Sequence, residues 1–326
     1  TVVVQAGGAS QWDDSRLHAN HINRFTIADY DFSDVEVCAW QSMGAQNTLE
    51  DYLTWATSTS PADRYMLIFW NHGGGSTSGV CFDETADYDG LTIHEINDAL
   101  YNFTEANPDF HLDLIGFDAC LMATYEAAAH MQYYADFMVA SEELEPSLGW
   151  NYAWLNALGE NPALDAQGIG VAIADAYMEA CLDENPDDYL SMSVLYLPAM
   201  DYLVSTMETY ASYLSQALDA GQLSTFSRAR QRMYAFGDFD SATSDMVDMM
   251  ALIDGTRTVA PQTADVLQTA YERVVRYNVG TRKFDYLTGM SVYFPSGSYE
   301  GDGCQETIPR MTEFMRGYAE LRSGGN

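Results

Sequence analysis

The chain has 326 residues, of which 48 are acidic and 14 basic, giving a formal net charge of −34; its only lysine is Lys283. Such a surface repels nucleic acid and anionic lipid and draws in cations, although a solvated acidic coat suited to life outside the cell accounts for it equally well. An apolar content of 47%, with no apolar run long enough to span a bilayer, excludes a disordered chain and a helical membrane protein and leaves room for a large core.

The elements alternate through the first two hundred residues. Strand-like runs are expected at TVVVQA from Thr1, at 35–40, 65–72, 112–120, 136–141, 191–198 and 289–295. Helical patterns are expected over 47–59, 93–103, 121–134, 165–182, 200–218, 222–233, 245–253, 261–277 and 306–321. Most strand runs are continuously apolar instead of alternating, as strands covered on both faces require. The order predicts an α/β domain with a mainly parallel sheet between helices. A single domain over 1–326 is expected, with its sheet core about 1–200 plus 286–296 and a helical C-terminal subdomain about 200–285 packed on it. Thr1 opens directly onto a strand, so any signal peptide or anchor is expected to have been removed or to lie outside the sequence.

Cys38, Cys81, Cys120, Cys181 and Cys304 are widely spaced, with no CxxC pair and no zinc-like histidine spacing, so a disulfide framework is not expected. His94 and His111 adjoin apolar runs and read as core or helix-start residues. Asp245 and Asp248 read as the acidic first turn of a helix. The loop CFDETADYDG offers Asp83, Glu84, Asp87 and Asp89 to calcium, but Thr85 and Ile96 stand where an EF-hand needs its first acid and closing Glu. No metal or cofactor is expected to be required, and calcium has weak support.

Two strand ends carry chemistry: NHGGG at 71–75 and DAC at 118–120. NHGGG lacks the GK[ST] of a phosphate loop. An esterase oxyanion loop would need a GxSxG partner, and GSTSG at 75–79 has Thr77 at its centre. There remains a histidine acid/base at a strand end, followed by glycines that let a carbonyl approach backbone N–H groups. Cys120 follows His72 by about 50 residues and has Ala before it, as in caspases. If the strands are neighbours, imidazole and thiol share one rim, and a thiol at a strand-to-helix junction gains from the helix dipole.

The stretches PADRYMLIFWNHGGG, SGVCFDE, GFDACLMATYE and ASEELEPSLGWNY, in that order, resemble the clostripain family of bacterial cysteine peptidases, and weaker similarity continues through SVYFP. The resemblance implies a caspase-like α/β/α sandwich, secretion or surface display, and cleavage of polypeptides after Arg or Lys. It implies His72 as the catalytic histidine, Cys120 as the nucleophile and Asp118 as an acid of the basic-residue pocket. Residues two apart on an extended segment face one side, so Asp118 can hold a substrate cation while Cys120 attacks the carbonyl. Asp118 as a helix N-cap is the competing reading. The N–H groups of Gly73 and Cys120 are expected to hold the oxyanion. Ser141, Glu142, Glu145 and Trp150 are candidates for substrate contact along the cleft, with Glu143 an equal alternative.

Family members are commonly precursors that cut themselves after a basic residue between the histidine and the cysteine. This chain departs from them: no Lys or Arg occurs from 65 to 227, so an intact single chain, acting as a monomer, is expected. A catalytically silent caspase-like binding module, or a peptidase of non-basic specificity, are the alternatives.

Overall fold

The computed structural model describes residues 1–28, 31–237, 244–281, 287–300 and 307–324. Lys283, Cys304 and the first residue of each of the stretches expected at 286–296 and 306–321 lie outside the described residues. In chain order the elements are β1 (Val2–Ala6), β2 (Ile22–Ala28), β3 (Asp31–Cys38), α1 (Gln46–Thr59), β4 (Met66–Trp70), α2 (Gly75–Ser78), β5 (Val80–Asp83), β6 (Asp89–Leu91), α3 (Ile93–Ala106), β7 (Leu112–Asp118), α4 (Tyr125–Met131) and β8 (Ala135–Ala140). They continue with α5 (Leu155–Glu160), α6 (Ala166–Glu184), β9 (Ser191–Tyr196), α7 (Met200–Asp219), α8 (Leu223–Arg230), β10 (Met246–Asp248), α9 (Met249–Thr256), α10 (Pro261–Val274), β11 (Val275–Gly280), β12 (Ser291–Tyr293) and α11 (Pro309–Ser323).

The central sheet has five strands in the order β11-β9-β8-β7-β4. β4, β7 and β8 run parallel, whereas β8–β9 and β9–β11 are antiparallel. The sheet is therefore mixed, not mainly parallel as expected. The reversed strand is β9, which runs against both of its neighbours, β8 and β11, while β11 shares the direction of β4, β7 and β8. β11 itself was not expected, because α10 stops at Val274 and Val275 turns extended to pair along β9. The segment VRYNVG continues the apolar spacing of the preceding helix, which hides the strand from a periodicity reading. β1, β2 and β3 form their own antiparallel sheet, and β12 pairs with β10, so neither TVVVQA nor GMSVYFP enters the central sheet.

Alternate residues of the central strands feed two apolar layers. Leu67, Phe69, Ile115 and Phe117 join the core beneath α1, α3, α4, α7 and α10. Leu114, Val139 and Val194 pack with Trp150, Trp154, Ile173 and Tyr177, most of them from α6 and the turn before α5. Burial on both faces explains why LDLIGF reads as an unbroken apolar run. α3 starts with a capping box in which Thr92 and Glu95 exchange bonds, and α7 buries Leu203, Met207, Tyr210, Leu214 and Leu218 at helical spacing.

Elsewhere, Asp248 caps α9 and Asp245 pairs with the buried Arg230 at 2.6 Å, so these acids are not an exposed helical first turn. His111 contacts Asp136 and His94 contacts Asp98, both at the surface. Asp83 is buried, accepting bonds from Thr85 N and Oγ1 and from Met43 N, while Glu84 binds Ser10 and Asp89 binds Ser42. Among the described residues no group of three or more His, Cys, Asp or Glu side chains is arranged to hold a metal ion. No described helix is long and apolar enough to cross a membrane.

Candidate active site

β4 and β7 are neighbours, in register with Trp70 opposite Asp118. Each strand is followed two residues later by one of the two reactive side chains, His72 and Cys120. Beyond β4 the chain reverses: Gly73 bridges Val80, Gly74 N donates to Gly79 O, and Cys81 N donates to His72 O. Asn71 Oδ1 accepts from the N–H groups of His72 and Phe82, which pins the base of this turn. Gly73 touches the backbone of Cys120. A Cβ at Gly73 would collide with the Cys120 carbonyl oxygen and sit 3.1 Å from Cys120 N, so only glycine permits this approach.

The thiol lies in a turn, not at a helix terminus. α4 begins at Tyr125, capped by Thr124, and the expected helix over 121–134 shrinks to seven residues. The intervening chain is held by another element instead: Leu121 N donates to Glu143 O and Ala123 N to Ser141 O, with Leu121 at φ 66°. A left-handed leucine is an uncommon conformation, over-determined here by those bonds. The helix dipole therefore does not act at Cys120. Individual amides take its place: Glu145 N donates to Sγ at 3.2 Å, and the N–H groups of Gly73 and Cys120 itself also favour the thiolate. Burial outweighs them and pushes the thiol above its ordinary value, and the Glu145 carboxyl adds to that. The thiol in turn donates to Glu145 O at 3.7 Å. His72 is exposed at the rim.

Asp118 is buried two residues before Cys120 and does not cap a helix. Trp150 N donates to its Oδ1 and the Tyr152 hydroxyl to its Oδ2, both at 3.0 Å. Burial raises its pKa to about 6 despite these bonds. Glu145 faces it. Both Glu145 carboxyl oxygens are buried and make no hydrogen bond of full geometry; the Trp150 indole N–H and the Ala119 N–H lie near enough to favour the carboxylate, but desolvation, reinforced by Asp118, holds this acid well above the carboxylate range. Among the described residues no Lys, Arg or His forms a salt bridge with either of these two desolvated acids, and burial of two acids side by side favours their protonated forms.

The other expected contacts stand behind this pocket. Ser141 is fully buried, bonded to Ser191 Oγ and Glu143 O. Glu142 is fully buried and turns toward Gly289 N and Asp248. Glu143 accepts from Leu144 N, Gly237 N and the Tyr234 hydroxyl. The Trp150 ring lies over Gly116, where a Cβ would come within 2.8 Å of it. Three participants carried no sequence signal: Tyr152, Gly149 and Trp70. A Cβ on Gly149, at φ +63°, would lie 2.9 Å from Asp118 Oδ1 and 3.5 Å from Trp70 Nε1. Their proximity arises from the return of the 141–152 loop over the strand ends, which no local pattern encodes.

The sequence model of the clostripain family matches residues 6–321. Clostripain from Hathewaya histolytica is 33% identical over 129 residues, an alignment covering 34% of this chain and 23% of that protein. A secreted C11 cysteine protease from Bacteroides thetaiotaomicron, in complex with an irreversible peptide inhibitor, superposes at a TM-score of 0.65 and 19% identity over 95% of this chain and 91% of its own. An inactive zymogen C11 protease from Parabacteroides distasonis gives 0.61 at 19% identity, over 90% and 80% of the two chains. At these identities the structural matches speak to the fold alone.

Proposed function

Because the chain belongs to the clostripain family, we propose that it is a cysteine endopeptidase that cuts polypeptides after Arg or Lys. The carrying observation is the contact of Gly73 with the Cys120 backbone, which ties the histidine-bearing strand end to the cysteine-bearing one with Asp118 buried beside them. The Cys120 thiol passes its proton to His72 and its sulfur attacks the scissile carbonyl. The N–H groups of Gly73 and Cys120, which lie close enough to favour the thiolate, hold the oxyanion. His72 protonates the leaving amine, the acyl-enzyme forms, and a water activated by His72 hydrolyses it.

The basic residue before the scissile bond enters between Asp118 and Glu145. The Glu145 oxygens, which make no hydrogen bond of full geometry within the fold, supply acceptors that a guanidinium or ammonium satisfies, and the cation displaces the proton that burial keeps on this pair. Ser141, Glu142 and Trp150 support the pocket from behind. With no Lys or Arg from 65 to 227, the enzyme works as one uncut chain. The acidic surface and the scarcity of lysine fit an extracellular or cell-surface setting.

The test is hydrolysis of fluorogenic peptides ending in Arg, Lys, Asn or Asp by the native chain and by Cys120→Ala. Release from Arg or Lys peptides by the native chain alone is expected. Release from the neutral or acidic peptides only would overturn the specificity, and release from none would favour a binding module.

A further inference from the structure

Trp70 is 69% exposed, so its indole contributes little to the core, yet it ends a central strand. Its in-register partner is Asp118. Paired residues of parallel strands project from the same face, and here that face is marked by Ile68 and Gly116, two pairs earlier, packed toward Trp150. The Trp70–Asp118 pair thus lies one step deeper along the strands than the His72 and Cys120 positions. Gly149 brings the two together: a Cβ there would lie within 3.5 Å of both the Asp118 carboxylate and Trp70 Nε1. Leu148 and Tyr152, also well exposed, belong to the same loop, and the Tyr152 hydroxyl reaches Asp118. A large aromatic face standing in water beside buried acids is a surface prepared for a partner that is flat, cationic and partly apolar.

We propose that Trp70 is a specificity-determining residue, the aromatic wall of the pocket whose floor is Asp118, and that it selects a planar guanidinium over a compact ammonium. The inference rests on the basic-residue reading above. A side chain descending past the reacting pair meets the carboxylate with its head and the indole with its flank. Arginine stacks its delocalised plane and its stem on the ring while keeping N–H groups in plane for the carboxylates. Lysine, a strongly hydrated point charge, gains the ion pair but little from the wall.

The test compares kcat/KM on matched peptides differing only in Arg or Lys before the cleaved bond, for the native enzyme and for Trp70→Ala, Trp70→Leu and Trp70→Phe. Enzyme is normalised to active sites by stoichiometric alkylation of Cys120, so any misfolded fraction drops out. The native enzyme should favour Arg, and that preference should fall about 3- to 30-fold in the Ala and Leu variants, mostly through KM, while Phe retains most of it. Equal losses on both peptides, or an unchanged ratio, would overturn the role of Trp70 while leaving basic specificity standing. Failure of the native enzyme to cut either peptide would remove the underlying reading and the inference together.

Discussion

Replacing Asp118 with Asn should make the protein more stable and less active at once. Asp118 titrates at about 6 in the fold against 3.8 for the free side chain, burial being the main cause. A raised carboxyl pKa means that the folded state holds its proton more tightly than the unfolded state. Stability is therefore greatest below pH 3.8, falls as pH rises through 6, and stays at its lower level above. About 2 pH units at ~1.4 kcal/mol each amount to ~3 kcal/mol by which an ionised Asp118 weakens the fold at pH 8. Asn escapes that cost but satisfies only one of the two donors, Trp150 N and the Tyr152 hydroxyl, losing ~1 kcal/mol. The net expectation is a gain of ~2 kcal/mol at pH 8, turning into a loss of ~1 kcal/mol below pH 3.8. On basic peptides the lost charge should lower kcat/KM by the ~2–5 kcal/mol of a broken buried ion pair, at least ~30-fold. The native enzyme should show an acid limb near pH 6 in kcat/KM that the variant lacks. Urea unfolding at pH 3.5, 5 and 8, with Cys120→Ala in both proteins to prevent self-digestion, gives the stabilities. An Asn variant less stable than the native protein at pH 8, with the same pH dependence, would refute the claim that this carboxylate is held against its own solvation.

Gly149→Ala places a methyl 2.9 Å from Asp118 Oδ1 on a residue at φ +63°; a destabilisation of ~1–2 kcal/mol is expected from the backbone alone, with lower kcat/KM on basic peptides, measured by urea midpoint and kinetics. Glu142 is raised by burial and by Asp248, and the two acids accept from the consecutive N–H groups of Gly289 and Thr288. Glu142→Gln can keep the Gly289 bond and donate to Asp248, so its stability should decline less as pH rises above the ordinary Glu value, by up to ~1.4 kcal/mol per pH unit in denaturant titrations. Arg230→Met strips Asp245 of its buried cation and Phe294 O of a donor; ~3–5 kcal/mol of stability should disappear, visible as an early thermal transition.

The central strands were legible because they are short apolar runs: β4 and β7 fall within the expected stretches 65–72 and 112–120, and β8 starts one residue before its expected 136–141. His72 and Cys120 stood out for a related reason, as a histidine and a thiol just past strand ends with glycines following the histidine, and the structure sets those two strand ends side by side. What escaped was decided by non-local bonds. Residues 120–124 carry helix-compatible side chains, yet Glu143 O and Ser141 O capture their amides and delay α4. β11 shares the spacing of α10 and becomes a strand only because β9 offers it an open edge. Glu142 and Glu145 look alike in SEELEPSLGW, but one is turned toward Asp248 and the other toward Asp118. A one-dimensional pattern does not say which way each acid of a loop turns.

The Gly73–Cys120 contact is made by main chain. In the proposed site the reacting pair and the Trp70–Asp118 pair are thus tied to the seam between two strands, while Glu145, Gly149 and Tyr152 reach Asp118 from the separate 144–152 excursion. Exchange of 146–152 for a foreign segment, with Glu145 kept for its N–H on the sulfur, should alter how Asp118 and Trp70 are framed, and with it the cleavage motif, while Gly73 and Cys120 stay in contact.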